Sequence, residues 1–269
     1  MKTPLSLLAG FFLVPVTALA QRGTSAELPP GPLIKSTAPE FSAWQVSCTY
    51  EGGPEKAESR RQEFQKALAK MAEQDPAMAK FLGGSPAGTT PRPRVTQLST
   101  VKTGEIRQET MVFEGGKKEE IWEAPGTRLR KNAFDGKIHL ETGVMRPDEL
   151  GDFPEFSWIG KENFRGIKPV KGRPCLIFES RVQRGILEDP RNGFQVPDAD
   201  LSEDAFVTAT AAVDLETRLP VQLQWEDQTR TYEFRRPPAQ KLVFPEEFAR
   251  VLQQSLQRAR SATAPLTPR

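Results

Sequence analysis

The sequence predicts an α+β fold dominated by one antiparallel sheet. Three features carry that reading: many short segments with apolar residues at every second position, tight turns between them, and no connection among the central segments long enough for a parallel crossover. Helical periodicity is confined mainly to a stretch after the first strand and to the end of the chain.

The first strand is read in FSAWQVSCTY, where Trp44, Val46, Cys48 and Tyr50 share one face. After Gly52-Gly53-Pro54 the period changes. Phe64, Ala67, Leu68 and Met71 fall at i, i+3, i+4 and i+7 of an amphipathic helix, and Asp75-Pro76 opens a second helix that Gly83-Gly84 ends. Strands are then expected at 94–101, 105–113, 118–124, 128–133 and 137–142, with Asp135-Gly136 as a type I′ hairpin signal. A short helix fits within 147–159. Strands at 164–170 and 174–182 flank the turn Lys171-Gly172-Arg173, and 183–204 reads as a long acidic loop. Strands resume at 206–213, 220–225 and 229–234. In LPVQLQW, Leu219, Val221, Leu223 and Trp225 alternate inward against outward Gln222 and Gln224, so one face of the sheet meets water. A closing helix over 245–260 has Phe248, Val251 and Leu252 in its stripe, with Glu246 and Glu247 in its first turn, where acids suit the helix dipole.

Export is expected. Lys2, the apolar run 5–16 and Ala18-Leu19-Ala20 read as a signal peptide over 1–20, cleaved before Gln21. The run is interrupted by Pro15 and is too short to span a bilayer core of about 30 Å. No transmembrane span is expected elsewhere, and the mature protein is placed in the periplasm or outside the cell. Residues 21–40 form a Pro-rich leader, 41–260 a single domain, and 261–269 a disordered tail.

The 37 Lys plus Arg against 35 Asp plus Glu leave a net charge of +2, which creates no field for gathering phosphates, so a nucleic-acid partner is not expected. One histidine, His139, excludes a multi-histidine metal site and leaves little for a Ser-His-Asp relay. Ser85 in GGSPA misses the nucleophile elbow, because Ala87 replaces its second Gly. Asp198, Asp200, Ser202 and Asp204 recur at calcium-loop spacing without the Gly and Glu such a loop needs, and read as a solvated acidic loop. Glu119-Glu120 reads as an exposed strand end. No catalytic residue, cofactor or metal is therefore expected. Cys48 and Cys175 are candidates for a disulfide, which export would permit; the alternative is two separate buried thiols.

The series GKENFRGIKPVKGRPCLIFES, then ATAAVDLETRLPVQLQWEDQTRTYEF, then LVFPEEF, resembles the periplasmic lipoprotein-carrier superfamily, the LolA-like and RseB-like proteins. Asp214, Thr217, Leu219, Pro220 and Val221 match its "D-x-x-T-x-L-P-V" strand, and the likeness runs from Glu162 to Phe248. It implies a strongly curved antiparallel sheet, an incomplete barrel, with helices packed on the concave face, and a role in holding acyl chains or in sensing or delivering lipoproteins. Strand facing then nominates Trp44, Val46, Tyr50, Leu219, Val221, Leu223 and Trp225 as groove residues. The expected function is non-catalytic: an envelope protein that holds a lipid or the acyl chain of a lipoprotein in the groove. The alternative is an interaction or envelope-sensor module that reads a protein partner without a lipid.

Overall fold

The computed structural model describes residues 27–51, 93–141, 151–188 and 203–262. Its frame is one antiparallel sheet of eleven strands, not closed into a barrel. The first strand, β1 (Phe41–Tyr50), lies in its middle. On one side β2 (Val95–Thr103), β3 (Ile106–Phe113), β4 (Lys118–Ala124), β5 (Thr127–Lys131) and β6 (Ile138–Leu140) run outward in chain order. On the other side β7 (Phe164–Val170) is the far edge, and β8 (Arg173–Gln183), β9 (Phe206–Asp214), β10 (Pro220–Trp225) and β11 (Gln228–Arg235) step back toward the centre. The two meanders are sewn together by β1 and β11, which pair without a break from Ala43↔Arg235 to Tyr50↔Gln228. Each strand was legible from local alternation, whereas the pairing of β1 with the last strand is a long-range event that no local signal reports.

Among the described residues two α-helices accompany the sheet. Helix α1 (Arg184–Glu188) continues directly from β8, inside the stretch read as a loop, because Leu187 drops into the core beside Trp225 and Phe156. Helix α2 (Glu246–Ala262) closes the described chain. The resemblance implied helices on the concave face, and of the α-helices among the described residues α1 lies there. Strand alternation in β4 turns Ile121 inward and Trp122 outward, and α2 covers Trp122: Phe248 is fully buried against Trp122 and Leu129, with Phe248 and Trp122 ring centroids 6.0 Å apart. Leu242 donates its N–H to Thr103 Oγ1 at 2.8 Å, and Lys131 Nζ meets Glu247 at 2.8 Å, fixing the start of this outer cover.

The inner face is defined by Trp44 and Val46. On the β7–β11 half it is a packed apolar core, with Leu176, Phe178, Ala209, Ala211, Val213 and Leu223 all fully buried. The segment 151–159 folds back over it through Phe153 and Phe156, and Ala38 of the leader joins them. Gly151 makes this return feasible. Its φ is +76°, and a Cβ there would fall 2.4 Å from the Ser36 carbonyl oxygen.

The candidate disulfide is overturned. Both cysteines are free: Cys48 faces inward on β1, while Cys175 lies in a separate cluster with Ile177, Ala212 and Val221 on the outer face of β8. Four strand intervals separate them, about 19 Å in a flat sheet, and a bridge needs Cα atoms within about 7 Å with converging Cβ vectors. The readings for 1–20, for the helices between Phe64 and Gly83, for Ser85 and for the acidic loop beyond Glu188 lie outside the described residues, as does the tail after Ala262.

Candidate ligand-binding site

A cavity of about 700 Å³ lies against the inner face. It touches Arg130 of β5 and Trp225 of β10, strands six intervals apart in the sheet. Laid flat, those strands would stand about 29 Å apart. A single cavity bounded by both requires the sheet to curl around it.

Cross-strand register makes one wall apolar. Val46 pairs with Leu98 on one side and Tyr232 on the other, Leu98 pairs with Met111, and Trp44 and Trp225 lie on the same face. Period-two alternation keeps these side chains together along each strand, so the wall is continuous across neighbouring strands.

The opposite wall is ionic, on β2 to β5. Arg107 pairs with Glu123 and Glu123 with Arg128, so opposite charges meet across two successive strand junctions, while the like charges Lys102 and Arg107, paired across the β2–β3 junction, share Asp152. Arg107 is the hub. It donates from Nη1 to Asp152 at 3.1 Å and from Nη2 to Glu109 at 2.6 Å, and its Nε lies 3.7 Å from Glu123. Lys102 Nζ and the Ala38 N–H both reach Asp152 Oδ2, at 2.7 and 2.8 Å. Arg128 pairs with Glu123 and, through Nε at 2.6 Å, with Glu141; Arg130 Nε reaches the other Glu141 oxygen at 2.6 Å and Glu119 at 3.5 Å. Burial at 5% exposure for Arg107 and 3% for Glu123 is tolerable only because each charge meets its opposite. Glu119 thus faces inward and is buried, correcting its reading as an exposed strand end.

Toward the end of the sheet where β1 finishes, the lining becomes mixed. Arg94 lies over the Tyr50 ring at 4.3 Å, and Arg230 over the Trp225 ring at 4.8 Å. Tyr50 donates to the Val95 carbonyl at 3.0 Å, and Tyr232 to Glu155 at 2.7 Å. Arg184 forms a two-point pair with Glu226 at 2.7 and 2.9 Å. Burial pushes the Tyr50 hydroxyl up to about 12. Burial, with Glu155 alongside, holds the Tyr232 hydroxyl well above the usual tyrosine range. Burial also raises the Cys48 thiol, against the pull of Arg230, and raises the Glu188 carboxyl. A raised thiol pKa is the reverse of what a cysteine nucleophile needs. Among the described residues no group of three His, Cys, Asp or Glu is arranged to hold a metal ion.

Of the nominated groove residues, Trp44, Val46, Tyr50 and Trp225 line the cavity. Leu223 faces inward but is fully buried in the packed core, and Leu219 packs against that core at the other end of the strand. Val221 is a correction. The register shifts between Pro220 and Gln222, and this bulge turns Val221 to the outer cluster with Cys175 and Ile177. Sequence reasoning missed Leu98, Met111, Tyr232 and the whole ionic wall. The signal was present in Arg107-x-Glu109, Glu119-x-x-x-Glu123 and Arg128-x-Arg130, charges at even spacing on three consecutive strands.

No protein-family model matches the chain, and no curated protein matches it. Among solved structures, the crystal structure of LprF from Mycobacterium bovis is similar at 9% sequence identity, with a TM-score of 0.34, over 77% of this chain and 90% of that one. That likeness is too slight to assign a family or a ligand. Among the described residues no helix is long and apolar enough to cross a membrane.

Proposed function

We propose that this is an exported, non-catalytic envelope protein that shelters the apolar part of an amphiphile, a lipid or the acyl chain of a lipoprotein, inside its curled sheet. The observation that carries the reading is the division of the 700 Å³ cavity into an aromatic and aliphatic wall and an ionic wall. A cavity of that volume falls in the range of sites that enclose small ligands. An acyl chain laid along Trp44, Val46, Leu98, Met111 and Trp225 would leave water at about 25 cal/mol per Å² of apolar surface. The ionic wall is already paired within itself, so it stays satisfied whether or not the chain is present.

The export signal read over 1–20 and the carrier-like pattern over 162–248 are consistent with this function. Organic extraction of protein purified from the compartment to which it is exported, followed by mass spectrometry, tests it. A lipid recovered in near-stoichiometric amount is expected. Repeated recovery of lipid-free protein bound to a stoichiometric protein partner would instead support the interaction-module reading.

A further inference from the structure

We infer that Arg94 and Arg230 form an anion-binding pair at the mixed end of the cavity, so that its ligand is an anionic amphiphile whose carboxylate or phosphate head they hold. This rests on the proposed lipid-binding function and names the class of ligand.

Both guanidiniums line the cavity, and neither forms an ion pair among the described residues. That sets them apart from the other arginines of the lining. Arg107, Arg128, Arg130 and Arg184 each have a carboxylate partner. Several nearby acids make contacts of their own: Glu226 with Arg184, Glu119 with Arg130, and Asp152 with Lys102 and Arg107, while Glu155 accepts from the Tyr232 hydroxyl and acts on Arg230 without an ion-pair contact. Glu188, which senses Arg230 as well, has Arg184 as its stronger counter-charge. Half-buried cations with no carboxylate in ion-pair contact among the described residues are better satisfied when an anion enters the cavity.

The geometry suits an anion more than a neutral head. Each guanidinium has a face against an aromatic ring, Arg94 on Tyr50 and Arg230 on Trp225. A ring on the face leaves the in-plane N–H edge free for two-point contact with a carboxylate or phosphate. Arg94 covers Tyr50, and Tyr50 pairs with Gln228, two residues from Arg230 on the same face, so both guanidiniums stand at one end of the cavity. Arg230 follows the apolar wall without a gap, being two residues from Tyr232 and paired across β1 with Cys48. A head bound there would direct its tail along Tyr232, Val46 and Trp44.

The test is calorimetric titration of the full mature protein with oleate, methyl oleate and a lysophosphatidate of the same acyl chain, below their micellar concentrations. The charged ligands are expected to bind at least about tenfold tighter than the methyl ester, the contribution of a charge-assisted hydrogen bond. The Arg94→Gln, Arg230→Gln double variant should bring the ratio of acid to ester affinity to about one, and the corresponding double Lys variant should keep part of it. Because the readout is a ratio, partial loss of folded protein does not imitate the effect. The better of oleate and lysophosphatidate identifies the head as carboxylate or phosphate, and either supports the inference. Methyl oleate bound as tightly as oleate, or a preference that survives the double Gln variant, overturns the inference and leaves lipid binding standing. Failure of all three ligands to bind overturns both.

Discussion

The Arg107 guanidinium lies over the Trp44 indole, 5.4 Å from the ring centroid, and marks the line where the apolar wall of the cavity meets the ionic one. On its other edges Arg107 ties Glu109 of its own strand to Asp152 of the segment that covers the core. One side chain therefore joins the two halves of the inner face. Arg107→Ala would remove the hub's contacts to Asp152, Glu109 and Glu123, leaving Asp152 to Lys102 and Glu123 to Arg128, and breaking a buried pair costs about 3–5 kcal/mol. Urea unfolding should show a loss of that order; a loss below about 1 kcal/mol would mean that water reaches the network and the pairs are screened.

Filling the cavity should separate binding from stability. Met111 lines it and is only half buried, so Met111→Trp has room to enlarge inward. The expected change in stability is within about 1.5 kcal/mol, as for a tolerated core swap, while lipid recovery falls at least tenfold. A strongly destabilised variant with undiminished lipid recovery would place the ligand elsewhere.

Stability should also depend on Glu188 in a defined direction. Burial lifts its carboxyl above the usual range, Glu226 adds to the lift, and Arg184 and Arg230 oppose it. A carboxyl whose folded pKa is raised binds its proton more tightly in the native state. The native state is favoured most below the unfolded value of about 4.3, and this advantage is lost as pH rises through the raised folded value. Glu188→Gln removes that loss. Thermal melts should show the variant gaining on the wild type at neutral pH and the gap closing toward pH 4; a variant less stable at neutral pH would contradict the assignment.

The two thiols should behave independently. Cys48 borders the cavity with a thiol that burial holds above its usual range, and Cys175 is fully buried on the reverse face. Alkylation of the native protein at neutral pH should be slow at both positions, and bound lipid should slow Cys48 further. Two thiols should react after unfolding without reductant. A single disulfide-linked peptide joining Cys48 to Cys175 would contradict the sheet order.

The strands were legible because alternation is local: β1, β4, β7 and β10 run over the ranges expected for them, and the other strands differ by a few residues at their ends. What the chain concealed were events set by distant partners. Val221 leaves the inner face because of a bulge, which no single-strand pattern reports. Glu119 and Arg107 look like solvent residues until register places Glu123 opposite Arg107 and Arg130 opposite Ile121, beside Glu119. The closing helix has a clear stripe, but a stripe says that a helix packs and not on which face; Trp122 decides that.

The tryptophans allow the central claim to be measured directly. Trp44 and Trp225 line the cavity, whereas Trp122 sits under α2 on the outer face. A fatty acid brominated in mid-chain quenches indoles that it touches. In variants that retain one tryptophan each, the brominated chain should quench Trp44 and Trp225 strongly and leave Trp122 bright, and unbrominated oleate should compete the quenching away. Equal quenching of all three, or quenching of Trp122 alone, would show that the acyl chain does not enter the curled sheet.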